Sequence, residues 1–214
     1  MIEVLTSPGK FFDTLDSFGY RIVAAVALLS AIPSALTQYI VMSNIIDLFP
    51  PQARVFIQIS GIFGLVFTFI VIFILILIVA GIIHFISGIF GGEGEFVRTA
   101  TVAGYGMIPS VILSYIQSGI FVYSLSQAGG FGSFQDFIAF LTDPSRLMSG
   151  VILIVAGAFW SVAVMSAGIS RVRNLEYSKA LISCLIPFLL YLAYTIYGIY
   201  SVTSLGELQK ISSL

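Results

Sequence analysis

Stretches without a charged residue divide this chain. The windows 22–46, 55–92, 99–135, 147–170 and 180–206 contain no Asp, Glu, Lys or Arg. Each is longer than the roughly 20 apolar residues that a helix needs to cross a bilayer. The pattern predicts five transmembrane helices, near 20–43, 58–86, 101–125, 147–169 and 180–203. The second is the strongest, because FIVIFILILIVA (69–80) is apolar throughout. The third window outlasts its helix, and its tail SQAGGFGS reads as a glycine loop.

Two shorter amphipathic pieces flank the spans. SPGKFFDTLDSF (7–18) places Phe11, Phe12, Leu15 and Phe18 on one helical face, with Lys10, Asp13 and Asp16 elsewhere. It reads as an interfacial helix opened by Ser7 and Pro8, or as a first turn packed on the bundle. SFQDFIAFLT (133–142) repeats the pattern, with Ser133 and Asp136 at capping-box spacing. Asp143 and Pro144 then open the fourth span. The fold class expected is an all-α membrane protein: a single domain over 1–214, a five-transmembrane-helix bundle with short interfacial helices.

Composition agrees with the pattern. Hydrophobic residues make up 58% of the 214 and charged residues 9%, against about 25% charged in soluble domains. The net charge of −1 gives no footprint for nucleic acid. The single cysteine, Cys184, excludes an intramolecular disulfide. The first 19 residues hold Glu3, Asp13 and Asp16 against one Lys10, unlike a cleavable signal peptide.

Orientation follows from the basic residues. With the N-terminus in the cytoplasm, Lys10, Arg21, Arg98, Arg171, Arg173 and Lys179 fall inside, and Arg54, Arg146 and Lys210 outside. The positive-inside rule therefore predicts a cytoplasmic N-terminus and an outer C-terminus in a prokaryotic cytoplasmic membrane.

Candidate chemistry is sparse. His84 is the only histidine and the only residue of the five windows that titrates near neutrality, and no Asp, Glu, Lys or Arg lies inside them. It reads as an interface residue rather than a proton relay or metal ligand, either of which needs partners. No HExxH, GxSxG or Walker-type string occurs, so no enzyme, metal or cofactor is expected. Ser110, Ser114 and Ser118 form a stripe on the third span, and Gly157/Ser161 repeat the spacing. Such stripes read as close helix packing, with a polar conduit as the alternative. Pro33, Pro109 and Pro187 are expected to kink their spans. TVAGYG (101–106) is close to a potassium-filter string. Ala103 interrupts it, however, and the apolar run continues through Pro109, so it reads as the inner end of the third span. GGEGEFVR (91–98) is a short inner loop, readable as a solvated turn or as a docking surface.

Several segments together resemble the YIP family, membrane proteins named for interaction with Ypt/Rab GTPases. LTSPGKFFDTL looks like the family's opening L-x-x-P-x-x-F. HFISGIFGGEGEFVRTATVAGYGMIPSVIL looks like its glycine-acidic loop followed by a tyrosine and a proline. WSVAVMSAGISRVRNLEYSKAL and the IP at 186–187 look like its last two spans. The likeness is to the short prokaryotic members, since only about 20 residues precede the first span. By position it marks Gly91, Gly92, Glu93, Tyr105 and Pro109. It implies a non-enzymatic protein that organises membranes or binds partners through cytoplasmic loops. The loop residues Glu93, Glu95, Arg98, Arg171 and Arg173 are the candidate surface. Membrane lipids, a cytoplasmic protein and a second copy of the chain are the partners considered; a small oligomeric transporter or channel is the alternative.

Overall fold

A computed structural model describes the backbone of residues 2–212, with side chains outside 56, 58–62, 199 and 202–212. The side chain of Lys210, counted above as an outer charge, lies outside the described residues. Among those residues the chain is helical, without strands. Two short helices, α1 (Ile2–Thr6) and α2 (Pro8–Asp13), precede α3 (Arg21–Ile45) and α4 (Pro51–Ile89). Then come α5 (Phe96–Gly106), α6 (Ile108–Gln127), α7 (Phe134–Leu141), α8 (Pro144–Val172) and α9 (Tyr177–Ser212). Five helical segments are long and apolar enough to cross a membrane: Arg21–Leu48, Phe63–Ile89, Phe96–Gln127, Pro144–Val172 and Tyr177–Gly198. The protein is an integral membrane protein. Its lipid-facing residues, such as Phe63, Phe67, Ile78 and Leu190, stay exposed because hydrocarbon, not a protein core, is their solvent.

The third span is the hub. α5 packs on α3, α4 and α8, while α6 packs on α3 and α8; α4 and α8 each meet α9. Small residues allow this. A Cβ on Gly104 would lie 3.2 Å from the Val23 backbone nitrogen, and one on Gly106 2.1 Å from Met165 Cγ. TVAGYG is thus helical, and its glycines are the contact points for α3 and α8. The span breaks once, at Met107. Pro109 sits in the first turn of α6, where its missing N–H costs little. Pro33 and Pro187 lie inside their helices. Ser110 Oγ lies 2.8 Å from Ser161 Oγ, and a Gly157 Cβ would meet the Ser110 backbone at 3.2 Å. That part of the serine stripe holds helices together.

The N-terminal segment is docked. Phe12 is buried, and its ring and that of Phe11 meet Tyr105 edge-on, at 6.1 and 4.8 Å. α2 packs on α8 and stops at Asp13. Ser7 occupies its N-cap position but makes no side-chain cap bond there, so the capping expected from SPGK is not formed. Thr101 ties the following turn to α5: its Oγ1 accepts from Gly19 N–H at 2.9 Å.

The opposite end carries side-chain caps. Ser133 Oγ accepts from Asp136 N–H at the start of α7. Asp143 Oδ1 accepts from Ser145 N–H (3.0 Å) and Arg146 N–H (3.2 Å) at the start of α8. A hydrogen bond from the Ser145 hydroxyl, then the backbone N–H of Arg146, lowers the Asp143 pKa below its usual 3.8. A depressed folded pKa means that the cap stabilises fully above about 4 and is lost as pH falls through the lowered value. Asp143→Ala is therefore expected to lower the unfolding temperature at pH 7. The difference from wild type should shrink on acidification to pH 3, as followed by thermal denaturation in detergent.

Candidate functional site

The candidate site lies where α4, α5, α8 and α9 meet at the Glu93 end. Two helix ends build it, and both close with the same backbone motif. After α4, Gly91 takes φ +87, Gly91 N–H bonds Gly88 O and Gly92 N–H bonds Ser87 O. After α8, Asn174 takes φ 51, Asn174 N–H bonds Arg171 O and Leu175 N–H bonds Ser170 O. Both are Schellman caps, which need a left-handed residue just past the helix; glycine and asparagine tolerate it best. Gly92 has a separate reason. A Cβ there would lie 2.7 Å from Ser87 O and 3.1 Å from Arg173 Nε.

Arg173 is the centre of the arrangement. It is 3% exposed. Its Nη1 donates to Gly94 O at 2.7 Å and its Nη2 to Gly92 O at 2.8 Å. Its own carbonyl accepts from Glu93 N–H at 3.1 Å. One arginine thus clamps the loop between the second and third spans onto the end of the fourth. Burial lowers the Arg173 pKa, but guanidinium starts so far above neutrality that it stays charged. Carbonyl dipoles, rather than a carboxylate, surround the charge.

His84 completes the clamp. Arg173 Nη1 lies 3.0 Å from His84 Nδ1 and 3.5 Å from Nε2, and Nδ1 also lies 3.0 Å from Thr99 Oγ1. Guanidinium has no acceptor, so the nearer ring nitrogen must be the unprotonated one. Phe96 closes the ring edge-on at 5.6 Å. The expectation that His84 stands alone is corrected. Its partner, Arg173, lies just past the end of the charge-free window 147–170 and was counted with the loops.

The other expected site residues divide into two groups. Glu93 and Glu95 are exposed on the clamped loop, and among the described residues neither is in an ion pair. Arg98 and Arg171 are also exposed, but both are engaged with the N-terminal segment. Arg98 lies over the Phe18 ring at 5.0 Å, and Arg171 Nε meets Asp13 Oδ1 at 3.5 Å. Arg173, grouped with them by sequence, faces the protein interior. The signal was present: residues two apart at a helix end point to different sides, so Arg171 and Arg173 cannot share one surface. Among the described residues no three His, Cys, Asp or Glu side chains gather as a metal site would require.

The family profile described as the Yip1 domain matches residues 2–199, nearly the whole chain. The chain belongs to the Yip1 domain family. An uncharacterised protein of the archaeon Methanocaldococcus jannaschii is 36% identical over 125 residues, covering 58% of this chain and 89% of that protein. No solved structure matches the chain. Within this Yip1 domain, four of the marked positions have identifiable structural surroundings. Gly91 and Gly92 shape the clamped loop, Tyr105 receives Phe11 and Phe12, and Pro109 restarts the third span.

Proposed function

We propose that this Yip1-domain protein is a non-enzymatic membrane scaffold that binds a partner through the clamped end, and that this end faces the cytoplasm. One observation carries the reading. Glu93 and Glu95 stand exposed on a loop whose backbone is fixed by the buried Arg173. A pre-formed surface loses less entropy on binding than a free loop. The six basic residues assigned to this side, against three on the other, support its cytoplasmic placement. Glu93 and Glu95 are the charged residues of the loop itself, so the surface fits a basic protein patch.

A photo-crosslinking residue at position 95, in cell membranes, tests the proposal. The expected result is one discrete adduct, lost with Glu93→Lys and absent when the probe stands at position 127. An adduct of twice the chain mass makes the partner a second copy. No adduct, or one indifferent to Glu93→Lys, overturns the reading. Selective solute flux in proteoliposomes of the pure protein would favour the transporter alternative instead.

A further inference from the structure

The end of the bundle opposite the clamp carries a second arrangement that partner binding does not use. A pocket of about 230 Å³ opens there between α3, α6 and α8. Thr37, Gln117, Ser118, Ser124, Arg146 and Ser149 supply its polar lining. Deeper in the bundle lies a cavity of about 430 Å³. Its walls include Ile76, Leu113, Ile154 and Phe188, from four different spans. Gln117 and Leu153 line both spaces. A polar mouth and an apolar interior therefore adjoin along one side of α6 and α8.

The charge at the mouth is of one sign. Arg146 donates from Nη1 to Phe140 O at 3.0 Å, and its guanidinium lies 3.9 Å from the Phe140 ring centroid. Among the described residues it is in no ion pair. The neighbouring Asp143 carboxylate is turned onto the first amides of α8. Thr37 Oγ1 is shielded from solvent and has no hydrogen-bond partner; a buried hydroxyl without one costs free energy. Gly150 makes room for Gln117, since a Cβ there would lie 3.0 Å from Gln117 Nε2.

We propose that this joined pocket and cavity form a binding site for one anionic membrane lipid, its head at Arg146 and an acyl chain in the cavity between the spans. Charge selects the head. The half-buried guanidinium at a span end, with donor hydroxyls and an amide around it, suits a phosphate oxygen. Position selects the tail. The cavity lies between the spans, where its lining is mainly apolar, with serines such as Ser30 and Ser114 among it, and the surrounding molecules are lipids. This site stands at the far end from Glu93 and does not depend on the proposed partner.

Native mass spectrometry of the detergent-purified full chain tests it, with phosphatidylglycerol, phosphatidylcholine and diacylglycerol as probes. The expected result is one phosphatidylglycerol retained at least tenfold better than either other lipid. Arg146→Gln is expected to abolish that preference, Arg146→Lys to keep most of it, and Arg171→Gln at the clamp end to leave it unchanged. Ser114→Phe, which fills part of the cavity, is expected to weaken all three lipids alike. Thermal unfolding of each variant separates lost binding from lost folding. Equal retention of the three lipids by the wild type overturns the proposal. So does an Arg146→Gln protein that unfolds normally and still prefers phosphatidylglycerol, or an equal loss in Arg171→Gln.

Discussion

Replacing Arg173 with alanine is expected to destabilise the protein by about 3–5 kcal/mol and to release the loop between the second and third spans. The size follows from what the substitution orphans. Gly92 O and Gly94 O lose their donors at 2.8 and 2.7 Å, and His84 loses a third. A fully buried acceptor left unsatisfied costs about 1–3 kcal/mol; Gly92 and His84 are half-buried and Gly94 is exposed, so water recovers part of that cost. The side chain is also 3% exposed, so its removal leaves a void beside Leu175 and Gly92. Such a loss is a large share of the roughly 5–15 kcal/mol that a domain has in reserve. Lysine is expected to recover only part of it, because one ammonium cannot reach two carbonyls and the imidazole with a planar fork. Thermal unfolding in detergent, with limited proteolysis of residues 91–95, reads both effects. An Arg173→Ala protein that unfolds at the wild-type temperature with an uncut loop would refute the clamp. Glu93→Gln and Glu95→Gln should leave both readouts unchanged. If Arg173→Ala also removes the crosslink at position 95, loop order and partner binding are linked.

The fold class was legible because a bilayer imposes a crude rule. A helix that crosses hydrocarbon cannot carry charges cheaply, so the 19 charged residues marked the ends of the spans. The same rule hid the clamp. Arg173 lies within the loop-like cluster 171–179, and its burial depends on how far α8 runs before Asn174 turns it. Charge counting cannot tell a solvated arginine from one that bonds carbonyls of another loop. The break at Met107 was displaced for a related reason. Pro109 was expected to kink a continuous span, but at the second position of α6 it starts a helix rather than bending one. Tyr105 takes its aromatic partners from residues almost a hundred positions earlier, which no local pattern encodes.

Gly168→Ala tests how the N-terminal segment is held. A Cβ at Gly168 would lie 2.6 Å from Val102 Cγ1 and 2.7 and 2.9 Å from two carbons of the Phe12 ring. Real Cβ contacts are not so short, so either α5 or α2 must move. α5 is wedged between α3, α4 and α8, whereas α2 is a six-residue helix held largely by Phe11 and Phe12. Phe12 is therefore the group expected to yield. Overpacking of this kind costs about 1–3 kcal/mol. The predicted signs are a lower unfolding temperature and faster proteolysis near Lys10, with cleavage of the loop at 91–95 unchanged. Removing the ring should relieve most of the strain: in a Phe12→Ala background, Gly168→Ala should cost at least about 1 kcal/mol less than in the wild type, a coupling that only residues in contact show. The residual cost belongs to Val102. Strictly additive penalties would mean that the chain absorbs the methyl by shifting α8 against α5. The contact of α2 with α8 would then rest on the Arg171–Asp13 pair at 3.5 Å rather than on Gly168. Coupled penalties would instead make Gly168 the contact that seats residues 8–13 against the basic end of α8, beside the loop that presents Glu93 and Glu95.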